Sequence, residues 1–397
     1  MKRYWKIISL TAFIILTFSI FYIQAVITGE DLPEFEMETV FGDDKEKENL
    51  IISGNYEVNQ FLEPFSVTST GTTYAKDSGY FERSYGFYQH PLMKEFIEEH
   101  RSFMRGKQND IELFYEDDEK LYYVGPYSPL EEFDVEILDK ATNDEQIFSV
   151  EIPREEQLSY IQVTEIQLVE EQLHVFTLNH YAEKEQLHVY KIDVKEEKIT
   201  NHNPVIDGTE NSHAYILNNY HDISQKDYLV IRVDHMKWNE EMYYDELLHS
   251  EFIAYNTKTG EKQILEISEE LNTHDPFAEE SPQMTTSYSV QDDLLYSVSF
   301  VSEGLKIETY NLKSGKSEST KIMELDQSVM AGLNGLDPQE NKLYFFSNMK
   351  EKGNDTRHLF IADLQTGDLI YQGEIKITNV PKETPIFNIE FHSIRLK

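Results

Sequence analysis

Between Asn201 and Met284 this chain of 397 residues gathers side chains able to hold a ligand. The stretch DHMKWNEEMYYDELLHSE carries Asp234, His235, Trp238, Tyr243, Tyr244 and His249. The stretch before it, NHNPVIDGTENSHA, carries His202 and His213, and the one after it, SEELNTHDPFAEESPQM, carries His274, Asp275 and Phe277. Trp and Tyr are favoured anchors at binding surfaces because they bury a large area with few rotatable bonds and keep a polar tip. Trp238, His235, Tyr243, Tyr244, His249, His213, His274 and Asp275 are therefore the candidate ligand-binding set. The competing reading is that the aromatics pack locally to hold a long loop and the histidines are polar surface. Zinc held by His235, His249, His213 and His274 is chemically conceivable, but their spacing fits no ligand pattern, so no metal and no cofactor is assigned.

Catalytic signatures are missing. The chain contains no HExxH, no GxSxG and no EF-hand loop. Gly315-Lys316-Ser317 resembles the end of a phosphate loop, but Tyr310 stands where such a loop needs glycine, and a hairpin turn is the better reading. Acidic pairs recur at Asp117-Asp118-Glu119, Glu170-Glu171, Asp292-Asp293 and Glu340. Hard cations want several converging oxygens, whereas these groups belong to separate repeats, which favours solvated turns. No catalytic residue is assigned.

The elements that carry these residues repeat. Five segments share one order: acidic turn, apolar strand, loop, strand closed by Asp or Asn, turn, strand. The closing residues are Asp139, Asp193, Asn256, Asn311 and Asp363, spaced by 54, 63, 55 and 52. Alternating β-branched and aromatic residues mark the strands, and Thr-Gly or Ser-Gly marks the hairpin turns. One helix is predicted over His90–Arg105, where Met93, Phe96, Ile97 and Met104 share a face behind Pro91. The runs IELFYED, SYIQVTEIQLV and TSYSVQ supply a further strand ahead of three of the acidic turns. A unit of four strands in about 40–50 residues resembles a β-propeller blade. The resemblance is to the class, since no Trp-Asp dipeptide or Asp-box ties the chain to a named family. It implies an all-β propeller of about six blades, within a range of five to seven. The lone terminal strand IFNIEFHSIRL would close the ring onto the N-terminal runs NLIISGNYEV, FSVTSTGTTY and GYFERSYGFY, leaving no free edge. A series of two-sheet sandwiches is the alternative.

The N-terminus differs in kind. An uncharged run, Ile7 to Ile27, follows Lys2, Arg3 and Lys6. It is long enough to span a bilayer, and the basic residues before it predict a cytoplasmic N-terminus and an extracytoplasmic body. A cleaved signal is the competing reading, weakened by the length of the run and by Ile23 in the cleavage-like triplet Ile23-Gln24-Ala25. Residues 28–49, with nine acids against two lysines, read as a solvated stalk, and residues 50–397 as the propeller. The chain has no cysteine, which removes disulfides and thiolate chemistry. Its net charge of −38 becomes −38 − 3 = −41 beyond the basic N-terminus, and such a surface repels nucleic acid. The partners expected are the membrane, through Ile7 to Ile27, and a protein or cell-wall ligand.

Long aromatic loops without a catalytic signature lead to one main expectation, a membrane-anchored extracytoplasmic binding or sensor module. The rival is an extracytoplasmic hydrolase acting on a glycan or ester in the funnel of the ring, through an acid pair or a bound cation.

Overall fold

The repeat read from the sequence is an antiparallel sheet, and the described residues form six of them, five of four strands and one of five. The computed structural model describes residues 32–58, 61–77, 90–126, 131–153, 158–182, 184–209, 211–217, 223–239, 244–267, 286–351, 354–379 and 387–396. The expected span Ile7 to Ile27 and the run Gly79 to Tyr88 lie outside these residues. Among the described residues no helix is long and apolar enough to cross a membrane.

The chain opens with β1 (Phe35–Gly42), then β2 (Leu50–Val58), β3 (Phe61–Thr68) and β4 (Gly71–Tyr74). Blade II holds β5 (Phe114–Glu116), β6 (Lys120–Pro126), β7 (Glu132–Asp139) and β8 (Glu145–Glu151). Blade III holds β9 (Leu158–Val169), β10 (Gln172–Tyr181), β11 (Glu185–Asp193) and β12 (Lys198–Ile206). Blade IV holds β13 (Ser212–Ile216), β14 (Tyr228–Asn239), β15 (Tyr244–Asn256) and β16 (Lys262–Ile264). Blade V holds β17 (Ser287–Gln291), β18 (Leu294–Val301), β19 (Gly304–Asn311) and β20 (Ser317–Glu324). Blade VI holds β21 (Leu333–Gln339), β22 (Lys342–Glu351), β23 (Asn354–Asp363) and β24 (Leu369–Ile377). The last strand, β25 (Phe387–Leu396), pairs with β2 and completes blade I in the order β25-β2-β3-β4. The architecture is a six-bladed β-propeller.

Each repeat-closing Asp or Asn has a definite job. The Oδ1 atoms of Asp139, Asp193, Asn256 and Asn311 accept hydrogen bonds from the backbone N–H groups two and three residues later, at 2.8–3.1 Å. Asp363 accepts from the Thr366 N–H at 2.7 Å. A short carboxylate or carboxamide can cap a tight turn in this way, which is why the position recurs. Four residues on, the backbone enters the left-handed region at Asn143, Glu197, Gly260, Gly315 and Gly367. The acidic pairs occupy the other hairpin of the blade, with positive φ at Glu170, Glu171, Asp292, Glu340 and Asn341. They are turn residues, as two-residue hairpins require.

Cores form between blades. Apolar clusters join blades II and III, III and IV, IV and V, V and VI, and VI and I. Outer strands such as β16 and β20 are largely exposed, while β10 and β11 are nearly continuous in burial. Closure follows the expectation: β25 buries Ile389, Phe391 and Ile394 beside Phe35 and Phe65, with the Phe65 and Phe391 rings 5.6 Å apart edge to face. Burying such side chains contributes about 1.5–3 kcal/mol each, a sizeable part of the ~5–15 kcal/mol by which a domain is stable.

Two expectations need correction. The segment expected to be a solvated stalk contains β1, which pairs with β24 as a fifth, outer strand of blade VI and buries Phe35 and Met37. Glu36 and Glu38 alternate with them on the solvent side, so the acidic composition concealed a strand of period two. The predicted helix is shorter than expected: α1 runs Pro91–Glu99, and Met104 is buried from the turns that follow it.

Candidate functional site

Along the described strands of blades II to VI, the far end of the second strand and the far end of the fourth lie on the face opposite the capped turns. On that face blade IV, like blade VI, carries a second hairpin that outruns the first strand of its sheet by four cross-strand pairs. β13 pairs with β14 from Ile216↔Ile231 to Ser212↔His235, and the Met236 N–H then donates to the Asn211 carbonyl. Beyond that point β14 and β15 continue as a two-stranded hairpin, through Met236↔Leu247, Lys237↔Glu246, Trp238↔Asp245 and Asn239↔Tyr244. β16 pairs only with Ile253–Tyr255 at the other end. The segment Asp234–Glu251, expected to be a loop, is thus mostly strand.

At the base of this hairpin the ladder shifts between His235 and Met236, leaving Leu248 as an extra, exposed residue. Such a bulge adds twist and re-aims neighbouring side chains. Directly across the ladder stand His235 and His249, their imidazoles stacked with centroids 4.4 Å apart and planes 12° from parallel. Glu251, two residues along β15, falls on the same face because side chains alternate. Its Oε1 lies 3.7 Å from Nε2 of His235 and 3.9 Å from Nε2 of His249. These separations exceed hydrogen-bond length. Nε2 of His235 is buried and has no hydrogen-bond partner among the described residues. The same face of the sheet continues inward as Val233, Ile231 and Ile253, packed on Phe176 and Val189 of blade III. One side of the trio is therefore dry, and the other is open, with His249 and Glu251 half exposed.

The reverse face of the hairpin base is closed by bonds. Asp234 accepts from Arg232 Nε at 2.6 Å and from Ser250 Oγ at 2.5 Å, and the guanidinium lies 5.9 Å from the Phe252 ring. Phe252 in turn packs on Tyr288 of blade V. These contacts tie the reverse side of the hairpin base to blade V.

His213 does not join the trio. It lies on β13, and its Nδ1 meets Glu185 Oε2 at 3.1 Å while His180 Nδ1 meets Glu185 Oε1 at 3.0 Å, a carboxylate clasp between blades III and IV. His202 is on strand β12, not in a connection, and stacks on the buried Tyr190 at 5.7 Å. Trp238 and Tyr244 lie on the hairpin extension. Tyr243, His274 and Asp275 lie outside the described residues. Glu251 escaped the sequence reading, yet His249-Ser250-Glu251 has the i, i+2 spacing that puts two ligating side chains on one side of a strand. On the inner strand β9, Glu165 is held by Lys226 at 3.0 Å and Gln167 at 2.6 Å. The nearby Glu112 carboxyl is pushed above its ordinary range by burial first, with the charges of Asp110 and Glu165 adding to it.

No family model matches the chain, and no curated protein matches it. Among solved structures the chain is similar to TolB from Acinetobacter baumannii, at 9% identity and a TM-score of 0.31 over 94% of this chain and 69% of that one. It is similar to a chain of a nidogen/laminin complex, at 10% identity and a TM-score of 0.30 over 82% and 92%. A third similarity is to the Dos1 propeller, at 10% identity and a TM-score of 0.32 over 65% and 56%. At this distance they carry no residue, ligand or activity to this chain, whose six sheets and strand-exchange closure themselves make it a β-propeller.

Proposed function

We propose that the chain is a membrane-anchored extracytoplasmic binding module that meets its partner with the β14–β15 hairpin. The observation that carries this reading is the extension itself: four cross-strand pairs continue past the last β13 pair, with Trp238 and Tyr244 near the far end. A two-stranded ribbon outside its sheet gains little for the fold, and long excursions from a rigid scaffold are where binding groups usually sit. The anchor is Ile7 to Ile27, with Lys2, Arg3 and Lys6 holding the N-terminus in the cytoplasm.

β1 adds a direction. Phe35 pairs with Ile377, at the end of β24 from which the chain crosses to the next blade, so β1 enters the propeller on the hairpin's own face. If the span ends at Ile27, residues 28–34 reach at most about 25 Å, since an extended residue covers roughly 3.3–3.6 Å. The hairpin then looks toward the membrane, and the partner is another protein held there.

The test places a photo-crosslinking amino acid at Trp238, or at Asp292 in an acidic turn of the opposite face, in the full chain in its native membranes. Adducts from position 238 to a membrane protein, and none from 292, are expected. Equal labelling from both positions, or none from 238, would sink this reading. Protease added outside intact cells should digest the body, and a protected body would overturn the orientation.

A further inference from the structure

We propose that His235, His249 and Glu251 form a site for a late first-row divalent cation of the Zn2+ type at the root of the hairpin, independent of what the hairpin binds. Each residue offers one ligand atom, and the three atoms lie within 4.8 Å of one another. A tetrahedral zinc with bonds of about 2.0–2.2 Å needs its ligand atoms about 3.3 Å apart. The carboxylate-to-imidazole separations of 3.7 and 3.9 Å are within about half an ångström of that, a distance small side-chain rotations remove.

The alternative is an ordinary surface cluster, and three observations weigh against it. A carboxylate between two imidazoles normally closes to hydrogen-bond length, as Glu185 does with His180 and His213 at 3.0 and 3.1 Å; Glu251 stops short of both of its histidines. Nε2 of His235, the atom that would face the ion, is buried without a hydrogen bond, and an unsatisfied buried polar atom is costly unless something else satisfies it. The one register shift in the described β14–β15 ladder falls directly beside the pair, at the position where a bulge re-aims neighbouring side chains.

The donor set decides the class of ion. Two imidazole nitrogens and one carboxylate suit Zn2+, Ni2+ or Cu2+, while Ca2+ and Mg2+ want more oxygens. The chain's acidity concentrates cations of every kind near the surface, so selectivity has to come from the imidazoles. Three protein ligands leave a fourth position on the exposed side, open to water or to a donor from a partner. A bound ion would tie β14 to β15 at the bulge and fix the angle at which the ribbon leaves the blade.

The experiment uses the full chain, purified in detergent and stripped with chelator. Titration with Co2+ should give the intense visible bands of a tetrahedral site at one equivalent, displaced by Zn2+ and indifferent to equal Ca2+. His235→Asn, His249→Asn and Glu251→Gln should each weaken Co2+ binding tenfold or more, and Zn2+ should raise the melting temperature of the wild type but not of the triple variant. His213→Asn, which alters the neighbouring clasp, should bind as the wild type does. Melting in chelator checks that each variant is folded, and any one that is not is replaced by the Gln form of the histidine. Co2+ uptake equal in wild type and triple variant would belong to the acidic surface and would overturn the site, as would a wild type without tetrahedral bands.

Discussion

The two faces of this propeller are built by different rules. On one, Asp or Asn caps the outer hairpins of blades II to VI, and acidic residues in left-handed conformations make the inner hairpins of blades III, V and VI. On the other, the long hairpin of blade IV carries a bulge and a pair of stacked imidazoles beside an acid that hydrogen-bonds to neither. Repetition marks where the chain serves the fold. Departure from repetition marks where a residue is free to serve something else.

If that division holds, substitutions on the capped face should cost stability and those on the hairpin face should not. The largest effect expected is at Gly315, where φ is +71° and an added Cβ would lie 2.4 Å from the Ile264 carbonyl oxygen of the neighbouring blade. Gly315→Val should lower unfolding free energy by about 3 kcal/mol, from the left-handed penalty together with the clash, measured by urea denaturation. A loss below about 1 kcal/mol would mean the turn simply relaxes.

Next in size is an acid-linked loss at His174, buried near the capped end of β10. Burial lowers its pKa from 6.5 to about 4, with the Lys191 charge acting in the same direction. The folded state refuses a proton that the unfolded chain accepts, so this contribution is whole above pH 6.5 and is lost as pH falls toward 4. It amounts to about 2–3 kcal/mol, and His174→Gln should flatten the fall in stability across that window. Asp337, at the seam between β21 and β25, works in reverse. Burial raises its carboxyl from 3.8 to about 6 against the pull of Gln339, the Ile394 N–H and Arg395. Its folded form favours the proton, so it costs stability as pH rises from 4 through 6. Asp337→Asn should therefore gain about 1–2 kcal/mol at pH 8 and nothing below pH 4, read from melting curves at the two pH values.

The same division explains what the sequence could reveal. Asp139, Asp193, Asn256, Asn311 and Asp363 were legible because a capped turn accepts few residue types and the turn recurs, and the closing strand was legible because Phe387, Ile389 and Phe391 alternate with polar neighbours. β1 was hidden because its outward positions are glutamates, which made a strand look like a charge run. The hairpin was read as a loop because Asn239, Glu240 and Glu241 interrupt any apolar alternation. Glu251 was missed because the spacing His249-Ser250-Glu251 carries meaning only on a strand, and the segment reads as a loop; its partner is His235 across the ladder, a neighbour that depends on a bulge no composition announces.

The smallest stability effect, and the sharpest probe of the comparison, belongs to that bulge. Leu248 is exposed and unpaired, and the residues on either side already alternate correctly across the ladder, with Leu247 opposite Met236 and His249 opposite His235. Deleting Leu248 thus keeps every cross-strand pair while removing the local twist. A bulge that belonged to the fold would make the deletion costly, as at Gly315. A bulge that belongs to the site should let unfolding free energy stay within about 0.5 kcal/mol of wild type, the usual range for surface changes, while Co2+ binding weakens tenfold or more because His249 is no longer aimed at Glu251. Denaturation in chelator and Co2+ titration of the same preparation separate the two. Lost stability with Co2+ binding intact would assign the bulge to the propeller and end the contrast between its faces at the one place where they were expected to differ most.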